Sequence, residues 1–288
     1  VGYDGLRAAF RWPAEAQVNL ATEVCDSWAA AFPARTAIVD LRGEAPVAVS
    51  YAALQRLSRQ VETWLRAQGI ARGDRVGVLL SQGPLCAAAH VAVWRMGAIS
   101  VPLFKLFRHD ALASRLADSG ARAVVSDDEG AAMLRAFDVA VLTEEALPEP
   151  VVRRAEATGP RDPAVLIYTS GTTGRPKGAL HGHGVLAGHM PGVEMSHDLL
   201  GQEGDVLWTP ADWAWIGGLF DVLMPGLYLG VPVVAARMAR FDVDACLRIC
   251  REGAVRNVFF PPTALRMLKA AGARIAGLRS VASGGEPL

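Results

Sequence analysis

The sequence contains little cysteine and no excess of charge of either sign. Four cysteines in 288 residues are too few for a disulfide scaffold and favour a reducing compartment. The 29 basic side chains balance the 29 acidic ones, so the net charge gives no indication of binding to nucleic acid or to an anionic membrane. These two absences exclude a disulfide-rich secreted module and argue against nucleic acid as a partner.

Long apolar runs are also missing. The most apolar stretch, residues 76–104, is interrupted by Gln82, His90 and Arg95 and is typical of a strand, a helix and a second strand. Residues 1–7 do not contain the apolar core of a signal peptide. We therefore expect a cytoplasmic protein without a membrane span.

Helical and strand patterns alternate along the first half of the chain. Residues 51–68 carry apolar side chains on one helical face, and Ser50 is placed to cap the start of that helix. Short apolar runs at 75–80, 99–102 and 123–126 are typical of buried strands. This alternation predicts parallel βαβ units with helices on both faces of the sheet, which is an α/β fold.

The composition changes around residues 144–160, where Glu, Pro and Arg accumulate. We interpret this segment as a surface connection between a first α/β lobe, residues 1–150, and a second α/β lobe, residues 160–288. The second lobe resumes the alternation with an apolar run at 164–169.

The most informative run follows that strand: residues 168–178 read Tyr-Thr-Ser-Gly-Thr-Thr-Gly-Arg-Pro-Lys-Gly. Glycines permit close approach of the backbone to a ligand, and the hydroxyls and one lysine suit a polyphosphate. The P-loop pattern fails because Pro176 stands where that template needs its second glycine. The predicted nucleotide-binding residues of this loop are Thr169, Ser170, Gly171, Thr172, Thr173, Gly174 and Lys177, with Thr173 and Lys177 predicted as catalytic.

This run resembles the signature of the adenylate-forming (AMP-binding) enzymes, a superfamily of acyl-CoA synthetases, peptide-synthetase adenylation domains and luciferases. Residues 211–218 and 260–266 resemble the corresponding segments of acetyl-CoA and medium-chain acyl-CoA synthetases. The resemblance implies the layered parallel-sheet sandwich of that family's large N-terminal domain, truncated and without the small C-terminal domain.

The resemblance also implies a reaction. ATP activates a carboxylic acid, here a fatty acid, to an acyl-adenylate and then an acyl-CoA, with release of AMP and pyrophosphate. The expected cofactors and partners are ATP, Mg²⁺, CoA and a small carboxylic acid. A carrier-protein acceptor and a naturally truncated, non-catalytic binding module remain alternatives, and the oligomeric state is not predicted.

Two further segments are assigned by resemblance. Gly285, Glu286 and Pro287 are expected to hold the adenine ring against the backbone. Trp215, Ile216 and Gly217 are expected to line the acyl pocket, and a glycine at 217 leaves room for a chain longer than acetate. Asp221 does not match the amine ligand of peptide-synthetase domains, so an α-amino acid is disfavoured.

Family members continue beyond the position of Leu288 with an aromatic-Gly-x-Thr-Glu motif that holds Mg²⁺ and with a C-terminal domain that supplies a catalytic lysine. We therefore expect this chain to be an N-terminal part that is inactive alone. No metal site is predicted: Cys246 and Cys250 are interpreted as buried thiols, His181 as the edge of the pocket and His183 as the start of a helix.

Overall fold

The computed structural model describes residues 2–11, 17–169, 176–236, 238 and 240–287. Within these residues the chain forms two six-stranded sheets. The strands are β1 Thr36–Asp40, β2 Val47–Ser50, β3 Arg75–Leu79, β4 Ile99–Pro102, β5 Ala123–Ser126, β6 Ala140–Leu142, β7 Pro163–Thr169, β8 Lys177–Gly182, β9 Leu207–Trp208, β10 Val233–Ala235, β11 Asn257–Phe259 and β12 Ser280–Ala282.

Helices connect most of these strands. The α-helices are α1 Tyr3–Ala9, α2 Ser27–Ala31, α3 Tyr51–Ala67, α4 Pro84–Arg95, α5 His109–Ser119, α6 Asp128–Leu134, α7 Val185–Ser196, α8 Ile216–Gly218, α9 Met224–Leu229, α10 Val243–Glu252 and α11 Pro262–Ala270. Two π-helical turns, Thr22–Asp26 and Leu219–Leu223, and one 3₁₀ turn, Glu144–Ala146, complete the description.

Parallel pairing dominates both sheets. The first sheet has the order β12-β11-β9-β10-β1-β2, and the second has the order β6-β5-β3-β4-β7-β8. Only the edge strands β2 and β8 run antiparallel to their neighbours among the described pairs. Each sheet therefore takes strands from both sides of the 144–160 segment, so the sheets are not divided along the chain where the composition changes.

The core explains why these elements form. On α3, Leu54, Val61 and Leu65 are fully buried on one face, and the Ser50 side chain accepts a hydrogen bond from the Ala53 amide at 3.2 Å. Every residue of α4 is buried. The largest hydrophobic cluster joins α4 to residues of both sheets, so this helix lies inside the core.

The predicted elements agree closely with the structure where the hydrophobic pattern is strong. The strands expected at 99–102 and 123–126 have those bounds, and the helix expected at 51–68 is α3. The helix expected near 183–190 begins later and extends further, as α7, through Pro191. His183 precedes this helix, so the prediction that it starts a helix is wrong: its buried Nδ1 instead accepts a hydrogen bond from the Leu20 amide at 3.1 Å.

Candidate active site

A large cavity lies where parallel strands of both sheets end. Its walls come from the segments that directly follow β3 and β4 in one sheet and β9, β10, β11 and β12 in the other. Ligands of open parallel sheets bind at the carboxyl ends of the strands, because the connecting loops meet there. The cavity has a volume of about 800 Å³, which is enough for a nucleotide-sized ligand.

The predicted acyl-pocket residues Trp215, Ile216 and Gly217 all line this cavity. Trp215 is 44% exposed, and its ring meets Phe104 edge to face with centroids 5.4 Å apart. Trp213, two residues earlier, is fully buried in the core. The two tryptophans of this segment therefore have different roles, and one of them faces the cavity.

Phe259 packs closely over Gly217. A Cβ at position 217 would lie 2.8 Å from Phe259 Cε1, which is closer than real Cβ atoms approach a neighbour. Phe259 is the last residue of β11 and lines the cavity itself. The space beside Ile216 is therefore set jointly by the absence of a side chain at 217 and by the position of the Phe259 ring.

The predicted adenine segment lines the same cavity through Gly285 and Glu286. Gly285 has φ +103°, in the left-handed region that favours glycine. The Glu286 carboxylate accepts hydrogen bonds from the amide and hydroxyl of Thr263 and pairs with Arg266 at 3.2 Å. The Thr263 hydrogen bond, followed by the Arg266 charge, holds the pKa of Glu286 below its usual range.

The Pro287 carbonyl accepts a hydrogen bond from Arg266 Nη1 at 2.9 Å. Together with the Glu286 contacts, this bond fixes the segment against the first turns of α11. The two regions assigned separately from the sequence, one near 215 and one near 285, are thus brought to one cavity by the ends of β9 and β12.

The predicted phosphate loop is described only at its borders. Thr169 ends β7 and Lys177 begins β8, and the two residues pair directly across the antiparallel ladder. Both are exposed, and neither is among the described residues that line the large cavity. Because β7 runs parallel to its neighbour β4, Thr169 lies at the same carboxyl-terminal end of the sheet as Phe104. Ser170, Gly171, Thr172, Thr173 and Gly174 lie outside the described residues.

Sequence reasoning missed Gln82, which joins the two sheets at the cavity wall. Its Nε2 donates to the carbonyls of Thr209 at 3.0 Å and Ala211 at 2.7 Å, and its Oε1 accepts from the Ala236 amide at 3.2 Å. Gln82 follows β3, whereas its three partners follow β9 and β10. An isolated glutamine after an apolar strand was the only available signal.

Lys105 was also missed. It follows β4, lines the cavity and is only 6% exposed. Its ammonium pairs with the carboxylates of Asp127 and Glu129, the latter at 3.3 Å. A buried lysine needs such partners because isolated burial of a charge is costly. Lys105 therefore lines the cavity with its charge already paired, and no motif indicated this residue.

A smaller cavity of about 350 Å³ adjoins the large one, and Phe259 and Asp221 line both. Asp221 Oδ1 lies 3.1 Å from His189 Nδ1. From the sequence, Asp221 was only excluded as an amine ligand; in the structure this residue lines both cavities.

The other flagged side chains are structural. His181 lies in β8, and its ring meets Phe220 edge to face. Burial, followed by the charge of His189, lowers the pKa of His181. Cys246 and Cys250 are buried free thiols, as predicted. No group of three or more His, Cys, Asp or Glu side chains in the described part of the chain could hold a metal ion.

Comparison with known families gives the class of this protein. Residues 25–288 match the AMP-binding enzyme family, and the chain belongs to that family. Among curated relatives it is 30% identical to the acetyl-coenzyme A synthetase of Rhodobacter capsulatus, over 83% of this chain and 43% of the relative. It is 31% identical to the acetyl-coenzyme A synthetase of Shewanella halifaxensis, over 78% of this chain and 41% of the relative. The chain thus spans less than half the length of these two relatives.

Solved structures confirm the predicted fold. An acyl-CoA synthetase from Brucella canis has a TM-score of 0.85 at 27% identity, covering 99% of this chain and 58% of that one. The N-terminal subdomain of NpsA from Klebsiella oxytoca shares the fold with a TM-score of 0.81 at 19% identity, over 95% of this chain and 69% of that one. No helix in the part of the chain that the structure describes is long and apolar enough to cross a membrane.

Proposed function

We propose that this chain forms the nucleotide- and acyl-binding part of an AMP-forming acid–CoA ligase. One observation carries the proposal: a single cavity at the carboxyl ends of the strands is lined by both Gly217 and Gly285. A site that joins a carboxylate to the α-phosphate of ATP needs such a shared cavity, because the two anions must be held side by side.

The proposed reaction requires the protein to position two anions and to stabilise the charge that develops on the leaving group. The acid's carboxylate is already a nucleophile, so the protein's task is to orient it and to stabilise the leaving pyrophosphate. We assign the acyl chain to the wall formed by Trp215, Ile216 and Gly217, and the adenine ring to the backbone of 285–287. The hydroxyls of Ser170, Thr172 and Thr173 are assigned to the β- and γ-phosphates, and Lys177 to the pyrophosphate.

The proposed acid is a fatty acid longer than acetate. Support comes from Gly217, which lines the cavity without a side chain of its own and has the Phe259 ring packed against it. The acetyl-coenzyme A synthetases among the relatives are at most 31% identical in the comparisons above, so acetate itself is not transferred to this chain. The proposed substrate is therefore a medium-chain or branched acid.

ATP and CoA are the proposed co-substrates, and Mg²⁺ is proposed to arrive with ATP. The described residues offer no cluster that fits the ion, so no step here is assigned to a protein-bound metal. A cytoplasmic location is proposed. Loading of a carrier protein in place of CoA remains an alternative acceptor step after the same adenylation, and a non-catalytic binding module remains the alternative to an enzyme.

Acid-dependent ATP–pyrophosphate exchange tests the proposal, measured on the product of the complete reading frame with acids from acetate upward and several amino acids. Lys177→Ala and Thr173→Ala are expected to lower exchange about 100- to 1000-fold, the effect of one well-aimed donor to a transition-state anion. Lys269→Ala, which removes another exposed lysine, is the control and should leave exchange within twofold. A folded protein that shows no exchange with any acid would favour the non-catalytic module.

The chain-length proposal has its own test. Gly217→Thr places a Cβ against the Phe259 ring and should shift the preferred acid toward acetate. The expected change is at least tenfold in the ratio of specificity constants for octanoate and acetate, about the discrimination of one to two methylenes. An unchanged chain-length profile would show that Gly217 does not limit the pocket.

A further inference from the structure

The smaller cavity has no role in the function proposed so far. It lies between α7 and the ends of β11 and β12, and His189, Ser196 and Ser283 are among its lining residues. Its polar lining is unusual for the distal end of a pocket that binds a plain alkyl chain, since such pockets are mostly apolar.

The smaller cavity continues the proposed acyl pocket. Residues 216–229 form one continuous helical stretch through α8, the π-helical turn and α9. Gly217 and Asp221 both lie on this stretch and both line the large cavity. Phe259 stands between the two cavities and lines both. A chain that passes Gly217 thus reaches Phe259 and Asp221 next.

The far wall has open space. Gly188 and Gly192 lie one turn apart on α7 and line the smaller cavity. A Cβ at either position would meet no atom within 4 Å. Both glycines are exposed, so this wall of the smaller cavity is open to solvent beside His189, and a ligand can lie there without movement of the backbone.

Asp221 and His189 form a polar pair at the junction. Their side chains are 28% and 30% exposed, and Asp221 Oδ1 lies 3.1 Å from His189 Nδ1. Phe220 packs edge to face against the His189 ring at 5.2 Å, which fixes the imidazole beside the carboxylate. A carboxylate has up to four lone-pair sites, so the His189 contact leaves acceptor capacity facing the cavity.

We propose that this pair binds a hydroxyl group on the acyl chain, and that the preferred substrate class is hydroxylated fatty acids rather than plain alkyl acids. This inference rests on the proposed acid activation. A neutral hydroxyl can donate a hydrogen bond to the remaining lone pairs of the Asp221 carboxylate. A plain alkyl chain would displace water from this carboxylate without replacing the lost hydrogen bonds.

The test compares matched acids in ATP–pyrophosphate exchange with the product of the complete reading frame. The acids are octanoate, its hydroxy derivatives substituted at carbons 3 to 8, and 8-aminooctanoate. We expect the specificity constant of at least one hydroxyoctanoate to exceed that of octanoate by about 10- to 100-fold, the range for a hydrogen bond to a charged group.

Variants then assign that preference to the pair. Asp221→Leu should reduce the ratio of the specificity constants for hydroxyoctanoate and octanoate to about one or below. Octanoate then meets an apolar side chain, and the hydroxy acid loses its hydrogen-bond acceptor. Asp221→Asn, which keeps an acceptor oxygen, should retain part of the ratio, and Asp244→Leu on the exposed face of α10 is the control. If Asp221→Leu does not fold, Gly192→Leu is the second variant: it places a side chain in the same cavity from α7, where leucine is a good helix former. It should lower the specificity constants of the hydroxyoctanoates relative to that of propionate.

The failures are distinguishable. Exchange with no acid would overturn the proposed function and this inference together. Exchange that is equal for octanoate and every hydroxyoctanoate, or that favours 8-aminooctanoate over all of them, would overturn the hydroxyl inference alone. A hydroxy preference that survives Asp221→Leu and Gly192→Leu unchanged would overturn the assignment to the smaller cavity.

Discussion

At the scale of single residues, Gln82 connects the two sheets through three backbone groups. Replacing it with alanine leaves two carbonyls and one amide without their partner in a region where the side chain is only 4% exposed. We expect Gln82→Ala to lower the free energy of unfolding by about 2–4 kcal/mol, measured by urea denaturation. Gln202→Ala, which removes an exposed glutamine bonded to the Asp198 carbonyl, should cost less than about 0.5 kcal/mol.

The contrast between Gln82 and Gly217 shows what a sequence can reveal about a site. Gly217 could be assigned because it stands in a contiguous run that resembles a known segment, and it does line the cavity. Gln82, Lys105 and Phe259 could not, because their importance arises only when the ends of non-consecutive strands meet. Whether Thr173 and Lys177 contact phosphate stays a prediction.

At the scale of elements, the buried Arg95 at the end of α4 connects this helix to two others. Its guanidinium makes a two-point contact with Asp26 at 2.7 and 3.0 Å and lies 3.7 Å from Glu62, whose side chain is 1% exposed. We expect Arg95→Met to destabilise the fold by about 3–5 kcal/mol, because it leaves the half-buried Asp26 carboxylate without its cation and leaves Arg66, at 2.9 Å, as the cation beside buried Glu62.

The matched control is Arg248→Ala, which removes an arginine 3.6 Å from Glu252 on the exposed face of α10. Exposed pairs contribute about 0–1 kcal/mol, so its effect should be small. Denaturant midpoints and slopes of both variants give the comparison. An equal effect of the two substitutions would mean that the Arg95 pair is not stabilising once desolvation is included.

Fully buried elements were predicted from the sequence more accurately than exposed ones. The four residues of β5 and the four of β4 are all buried, and their continuous apolar runs gave their bounds correctly. The edge strands β2 and β8 were not predicted, because their exposed faces carry no alternating pattern and β8 contains two glycines. Tertiary pairing at the sheet edge, rather than local propensity, makes these segments strands.

At the scale of the whole molecule, the hydrophobic pattern of the sequence could not predict the order of the strands in the two sheets. A change of composition at 144–160 suggested lobes that follow one another along the chain. In the structure β1 pairs with β10, and β7 pairs with β4, so each sheet is completed by strands from the other half. Hydrophobic runs specify that a strand is buried, but they carry no information about which neighbour it pairs with.

Three buried histidines give the whole molecule a predictable dependence on pH. Burial lowers the pKa of His90 to about 3, and burial also lowers the pKa of His183 and of His197 to about 4. The unfolded chain takes up these protons near pH 6.5, whereas the folded chain does not until much lower pH. Stability is therefore complete above pH 6.5 and falls as the pH decreases toward 4.

Each of these histidines should make the free energy of unfolding about 1 kcal/mol lower at pH 5.5 than at pH 7.5. The reason is that protonation at this pH stabilises the unfolded state alone. Urea unfolding at the two pH values measures the sum. His90→Leu should remove about 1 kcal/mol of this pH-dependent loss, since His90 stacks on Trp94 in the core and its Nδ1 has no hydrogen-bond partner there. His109→Ala, at an exposed site beside Asp110, should leave it unchanged. If His90→Leu and His109→Ala change the loss equally, the acid sensitivity does not originate in the buried imidazoles.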